Sequence, residues 1–131
     1  MRIPILALGD ILLTSLQPDI TDEHAAMLQT DILERLKQSH ARGVILDITA
    51  LDIVDSYMAR ILSETVQMAQ LMGGDVVITG MNPMVALTLV EMGRELMRGM
   101  AALTLEQGVE KLRERFAGMA GDDTKDFADA G

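Results

Sequence analysis

Residues 43–59, Gly-Val-Ile-Leu-Asp-Ile-Thr-Ala-Leu-Asp-Ile-Val-Asp-Ser-Tyr-Met-Ala, change hydrophobic period part-way along. Val44, Ile45, Leu46 and Ile48 form an apolar run of strand length, the pattern of a strand buried on both faces. From Met58 the apolar residues Ile61, Leu62, Val66, Met68, Ala69 and Met72 recur at helical spacing. Between the two lies a turn rich in aspartate, closed by the pair Asp55-Ser56. Ser56 therefore falls at or within the first turn of a helix, at the end of a buried strand and near the surface. A hydroxyl there can cap the helix, act as a nucleophile, or accept a phosphate.

The same alternation extends along the chain. Ile3 to Leu8 and Ile11 to Ser15 read as strands around Gly9-Asp10, a hairpin-like turn signal. Pro18-Asp19 breaks the pattern, and Thr21 or Asp19 can cap a helix to about Gln38 with Ala25, Leu28, Ile32 and Leu36 on its apolar face. Strand 44–48 and helix 56–72 follow, stopped by Gly73-Gly74. Asp75 to Thr79 is a β-branched strand, and Asn82-Pro83 starts a helix whose apolar stretch Met84 to Met92 is expected to be buried. Gly93 and Gly99 bracket a charged link to a short strand near Ala101 to Leu103. Thr104 and Gln107 form a capping box for a last helix with Val109, Leu112 and Phe116 on its seam. These elements predict an α/β domain over residues 1–117, with a mixed sheet of about five strands and about four helices. Residues 118–131 are acidic, glycine-containing and aperiodic, and are expected to form a disordered tail.

Composition narrows the function classes. A length of 131 residues is one domain by the usual prior, and an aromatic content of 2% makes the core aliphatic and methionine-filled. The formal charge of -9 argues against nucleic acid and against an anionic membrane surface. The absence of cysteine excludes disulfides and thiol chemistry. The run Ile3 to Leu8 is too short for a secretory core, and no stretch approaches the ~18 uncharged residues of a membrane span. A cytoplasmic protein is expected. A hydrophobic content of 49% points to an apolar patch used for self-association.

Enzymatic signatures are sparse. Neither a Walker loop nor Gly-x-Gly-x-x-Gly occurs, and Ser56 lacks a Gly-x-Ser-x-Gly elbow. His24 and His40 are isolated and read as surface histidines. Asp47, Asp52 and Asp55 could together hold Mg²⁺, but turn and cap chemistry is the preferred reading. No catalytic residue, metal or cofactor is expected. Tyr57 faces outward at the same edge and can offer a partner an aromatic contact. Asp55 and Ser56 are both good N-caps, more than one helix end requires, so one of them is left free. A phosphate on Ser56 would add about -1.5 to -2 charges. The helix N-terminus favours it, and Asp55 together with Asp52 opposes it by a similar or larger amount; the domain is expected to survive the modification. Thr49, Thr65 and Thr79 are alternative acceptors, but none combines a helix start with a preceding acidic residue.

The order of elements, with Leu46-Asp-Ile48 followed by Asp52-Ile-Val-Asp-Ser56, resembles the STAS domain of anti-sigma factor antagonists. The segments Asp52 to Leu62, Leu71-Met-Gly-Gly74, Val85 to Gly93 and Leu105-Glu-Gln-Gly108 extend the likeness to the scaffold antagonists of the bacterial stressosome. The resemblance covers about residues 3–117 and implies a non-catalytic protein that oligomerises, as a dimer, within a large complex with STAS-domain co-antagonist paralogues. That complex would sequester a switch serine/threonine kinase. Ser56 would be the phosphorylated residue, with Asp55 and Tyr57 shaping the contact, and a phosphatase would reset it. Two other readings stand beside this one: a free antagonist binding an anti-sigma kinase directly, and a small α/β hydrolase.

Overall fold

The computed structural model describes residues 3–93 and 100–130 of the chain. Alternation of side chains across each strand explains why the apolar runs form a sheet covered on both sides. In β3 (Gly43–Asp47) Val44 and Leu46 enter one core cluster, while Ile45 between them enters another. In β4 (Asp75–Thr79) Val76 and Ile78 share the first cluster and Val77 the second. β2 (Ile11–Ser15) follows suit, with Leu12 on the first side and Ile11 on the second. Fully apolar strands are needed only where both faces lose water, and the three central strands meet that condition.

With β1 (Leu6–Leu8) and β5 (Ala101–Ala102) the strands make one sheet in the order β1-β2-β3-β4-β5. β1 pairs antiparallel with β2, and the remaining pairs are parallel. The helices α1 (Asp22–Gln38), α2 (Ser56–Leu71) and α3 (Pro83–Glu91) bury residues in the first cluster. α4 (Leu105–Ala130) covers the other face, inserting Leu112 and Phe116 against Ile11, Ile45 and Val77. The mixed five-stranded sheet with four helices agrees with the α/β domain expected from the sequence. Among the described residues no helix is long and apolar enough to cross a membrane.

Close packing uses glycine at two places near the strand ends. A Cβ on Gly108 would lie 2.6 Å from Thr79 Cγ2, so this glycine lets α4 approach the sheet. Gly80, at φ 77°, turns the chain after β4, and a Cβ there would collide with Thr49.

Three expectations are modified. The first strand begins at Leu6 rather than Ile3, because Pro4 has no N–H for a ladder; its carbonyl instead accepts a bond from Thr14 Oγ1 at 2.9 Å. α3 buries Val85 and Leu89, but Met84 and Val90 are 61% and 74% exposed. An apolar sequence does not supply neighbours, and this helix buries a single stripe, that of Val85 and Leu89. The helix α4 runs on through Ala130, helical backbone where the composition pointed to a disordered tail. Among its described side chains Phe116 is the last to be buried. The charged link between Gly93 and Gly99 lies outside the described residues.

Truncating the fully buried Leu112 (0% exposed) to alanine should lower the unfolding free energy by about 2–5 kcal/mol. The same change at Leu71 (89% exposed) should cost less than about 0.5 kcal/mol. Urea denaturation of the two variants checks the assignment of α4 to the second face, and equal costs would contradict it.

Candidate functional site

The segment from β3 to α2 is anchored at two points and exposed between them. Ile48, Leu51 and Val54 are buried, and the amide of Leu51 donates to the carbonyl of Ile48 at 2.9 Å. Asp52 and Ile53 project between these anchors, Ile53 with 80% of its surface exposed. Asn82 ties this loop to the start of α3. Its Nδ2 donates to the carbonyls of Leu51 at 3.0 Å and Asp52 at 3.3 Å, and its Oδ1 caps α3 by accepting from the amide of Val85 at 2.8 Å. The loop before α2 and the N-terminal end of α3 are thereby held together beyond the C-terminal ends of β3 and β4.

The competition between the two capping residues is decided at Asp55. It has extended dihedrals (φ -82°, ψ 178°), and its Oδ1 accepts from the amide of Met58 at 2.8 Å. Ser56 is the first helical residue and is exposed. Its hydroxyl makes no hydrogen bond among the described residues. Tyr57 follows, partly exposed, whereas Met58 and Ala59 turn into the core. Asp55, Ser56 and Tyr57 thus form one continuous accessible strip at the helix start, and Ile53 extends it.

The three aspartates do not converge. Asp47 lies at the end of β3, in register with Ser15 of β2 and Thr79 of β4. Its Oδ1 accepts from Thr49 Oγ1 at 2.6 Å and from Thr79 Oγ1 at 3.1 Å. Side-chain alternation sets Asp47 on the same face as Ile45, the side covered by α4, whereas α2 packs on the opposite side. Asp55 is engaged as the cap, and Asp52 is exposed. Among the described residues no group of three or more His, Asp or Glu side chains is gathered into a metal site.

The alternative acceptors are less accessible. Thr65 and Thr79 are buried, and Thr65 Oγ1 donates to the carbonyl of Ile61 at 2.6 Å. Thr49 is exposed, but its hydroxyl is committed to Asp47. Sequence reasoning did not single out Ile53 or Arg60, and it read Asn82 only as the start of α3. Ile53 lies in the aspartate-rich turn and is exposed between its buried neighbours Leu51 and Val54. Arg60 sits one helical turn after Ser56, its Nε donating to Glu64 Oε1 at 2.7 Å. The hydrogen bond to Glu64, then the Glu64 charge, raise the Arg60 pKa above its usual value, with a smaller contribution from Tyr57.

Known proteins share this fold. Residues 2–112 match the model of the STAS domain, and the chain belongs to that family. A serine-to-glutamate variant of RsbS from Moorella thermoacetica has a similar structure, with a TM-score of 0.81 and 34% identity over 89% of this chain and 99% of that one. A chain of the stressosome, described as a signal integration and transduction hub, gives a TM-score of 0.75 and 37% identity over 85% of this chain and 96% of its own. The RsbT co-antagonist protein RsbRA of Bacillus subtilis (strain 168) is 25% identical over 95 residues, or 72% of this chain. The match takes in 35% of RsbRA, so this chain spans about a third of that relative's length.

Replacing Asp55 by alanine should cost about 0.5–2 kcal/mol of stability, the usual value of an N-cap. Replacing Ser56 by alanine should change it by less than about 0.5 kcal/mol. Urea unfolding of both variants reads the difference; the reverse order would mean that Ser56 is the cap.

Proposed function

We propose that this STAS domain is a non-catalytic scaffold and antagonist in a stressosome-type assembly, switched by phosphorylation of Ser56. The observation that carries the reading is the division of labour at the start of α2. Asp55 caps the helix, so the Ser56 hydroxyl has no structural duty and is exposed beside Asp55, Tyr57 and Ile53. A residue that is free, accessible and dispensable for folding can be modified without unfolding the domain.

The effect of the modification is on binding. Phosphate adds about -1.5 to -2 charges. A partner surface packed over Ser56 would have to bury that charge, at a cost of several kcal/mol, while about 1.4 kcal/mol already weakens affinity tenfold. An unmodified Ser56 would thus hold a switch serine/threonine kinase, and phospho-Ser56 would release it. A phosphatase would restore the first state. The kinase would bring its own ATP and Mg²⁺, and this chain needs no cofactor.

Likeness to RsbS and to a stressosome chain supports assembly with copies of itself and with STAS-domain paralogues. RsbRA is named as a co-antagonist, which supports an antagonist's role for this chain as well. The proposed setting is the cytoplasm and the output a general stress response.

Affinity capture from source-cell lysate, with wild type, Ser56→Ala and Ser56→Asp as baits, tests the switch. Wild type and Ser56→Ala should retain a kinase together with STAS paralogues, and Ser56→Asp should lose at least about tenfold of the kinase while keeping the paralogues. Equal kinase recovery on all three baits would count against Ser56 as the switch.

A further inference from the structure

We infer that Arg60 receives the phosphate carried by modified Ser56, so that the acceptor and its counter-charge lie on one face of α2. The inference rests on the proposed modification of Ser56 and adds to it the residue that holds the product.

Ser56, Arg60 and Glu64 recur every four residues along α2, whose opposite face buries Met58, Ile61, Leu62 and Val66. Residues four apart on a helix have Cβ atoms about 5–6 Å from each other. Helical side chains also lean toward the N-terminus, so a rotation of the Arg60 side chain away from Glu64 brings its guanidinium within reach of the turn that holds Ser56. The contribution of Tyr57 to the raised Arg60 pKa is consistent with that placement. In the unmodified chain the 2.7 Å bond to Glu64 uses Nε. A guanidinium has five N–H donors in a planar fork, so its terminal nitrogens remain for a second acceptor.

A phosphate on Ser56 would be flanked by the carboxylates of Asp52 and Asp55 in the preceding loop and by Glu64 two turns on. Arg60 is the one basic residue in the sequence of α2. An anion placed four residues before a cation is also the favourable order on a helix, agreeing with the macrodipole. The guanidinium can bridge the phosphate and Glu64, offsetting the repulsion from Asp55 and holding the phosphate along the helix face. Arg60 thus acts as a positioning residue for the phosphorylated state and has no duty in the phosphoryl transfer itself.

Phosphoserine incorporated at position 56 of the full chain through an amber codon tests this without any kinase. Titration followed by ³¹P NMR reads the second ionisation of the phosphate, about 6 when unperturbed. A nearby cation favours the dianion and lowers that value. With Arg60 present it should lie at least about 0.5 unit below the value in Arg60→Gln, with Arg60→Lys in between. Arg113→Gln, which removes an exposed cation on the opposite side of the sheet, should leave it in place. Agreement of the Arg60 and Arg60→Gln forms within about 0.1 unit would overturn the inference. The lysate capture is independent of this result. A pKa shift with no effect of Ser56→Asp on capture would sink the switch and keep the contact, and the converse would keep the switch and remove Arg60 from it.

Discussion

The hydrogen bond from the Met58 amide to Asp55 Oδ1 fixes where α2 begins, and the availability of Ser56 follows from it. A helix leaves its first amides without internal partners, and a side-chain acceptor just before the first turn is the usual remedy. Asp55 supplies that acceptor with a short, charge-assisted bond. Were Ser56 the cap, its hydroxyl would be occupied and its modification would cost the helix its start. With Asp55 in that position the Ser56 hydroxyl is left out of the cap, and the proposed modification would leave that cap in place.

The cap acts on a rigid base. β3 and β4 are buried on both faces, and their last residues are linked across the sheet by Asp47, which accepts from Thr49 and Thr79. Asn82 then joins the loop before α2 to the cap of α3. Both ties meet the loop between β3 and α2, one at Thr49 and the other at Leu51 and Asp52. Together they hold the Asp52 to Tyr57 strip against a framework in which the neighbouring Leu51, Val54 and Met58 are all buried. On the proposed reading, a change of charge on a strip held in this way would be felt in binding rather than in folding.

Much of this was legible in the residues. The strand Asp75–Thr79 and the helix Asp22–Gln38 with its Thr21 cap follow from period and capping chemistry, and the structure has them there. So does the bond from the Gln107 amide to Thr104 Oγ1. What stayed hidden depends on direction in space. Asp47, Asp52 and Asp55 are close in sequence, yet strand alternation sends Asp47 to the α4 side while Asp55 turns to its own helix. The apolar α3 looked like a core helix because a sequence records hydrophobicity and not the number of neighbours. Asp55 and Ser56 were equal candidates for the cap, and the choice required backbone dihedrals. The four-residue spacing of Ser56 and Arg60 was present in the sequence all along. Its meaning appears once Ser56 is known to be free and Arg60 is seen paired on the same face with Glu64.

The most direct measurement is phosphosite mapping by mass spectrometry on this protein isolated from its own cells, before and during stress. Phosphate on the peptide carrying Ser56, localised to that residue and increasing with stress, is the expected result. An unmodified Ser56 under all conditions, or phosphate confined to Thr49, would contradict the role assigned to the start of α2.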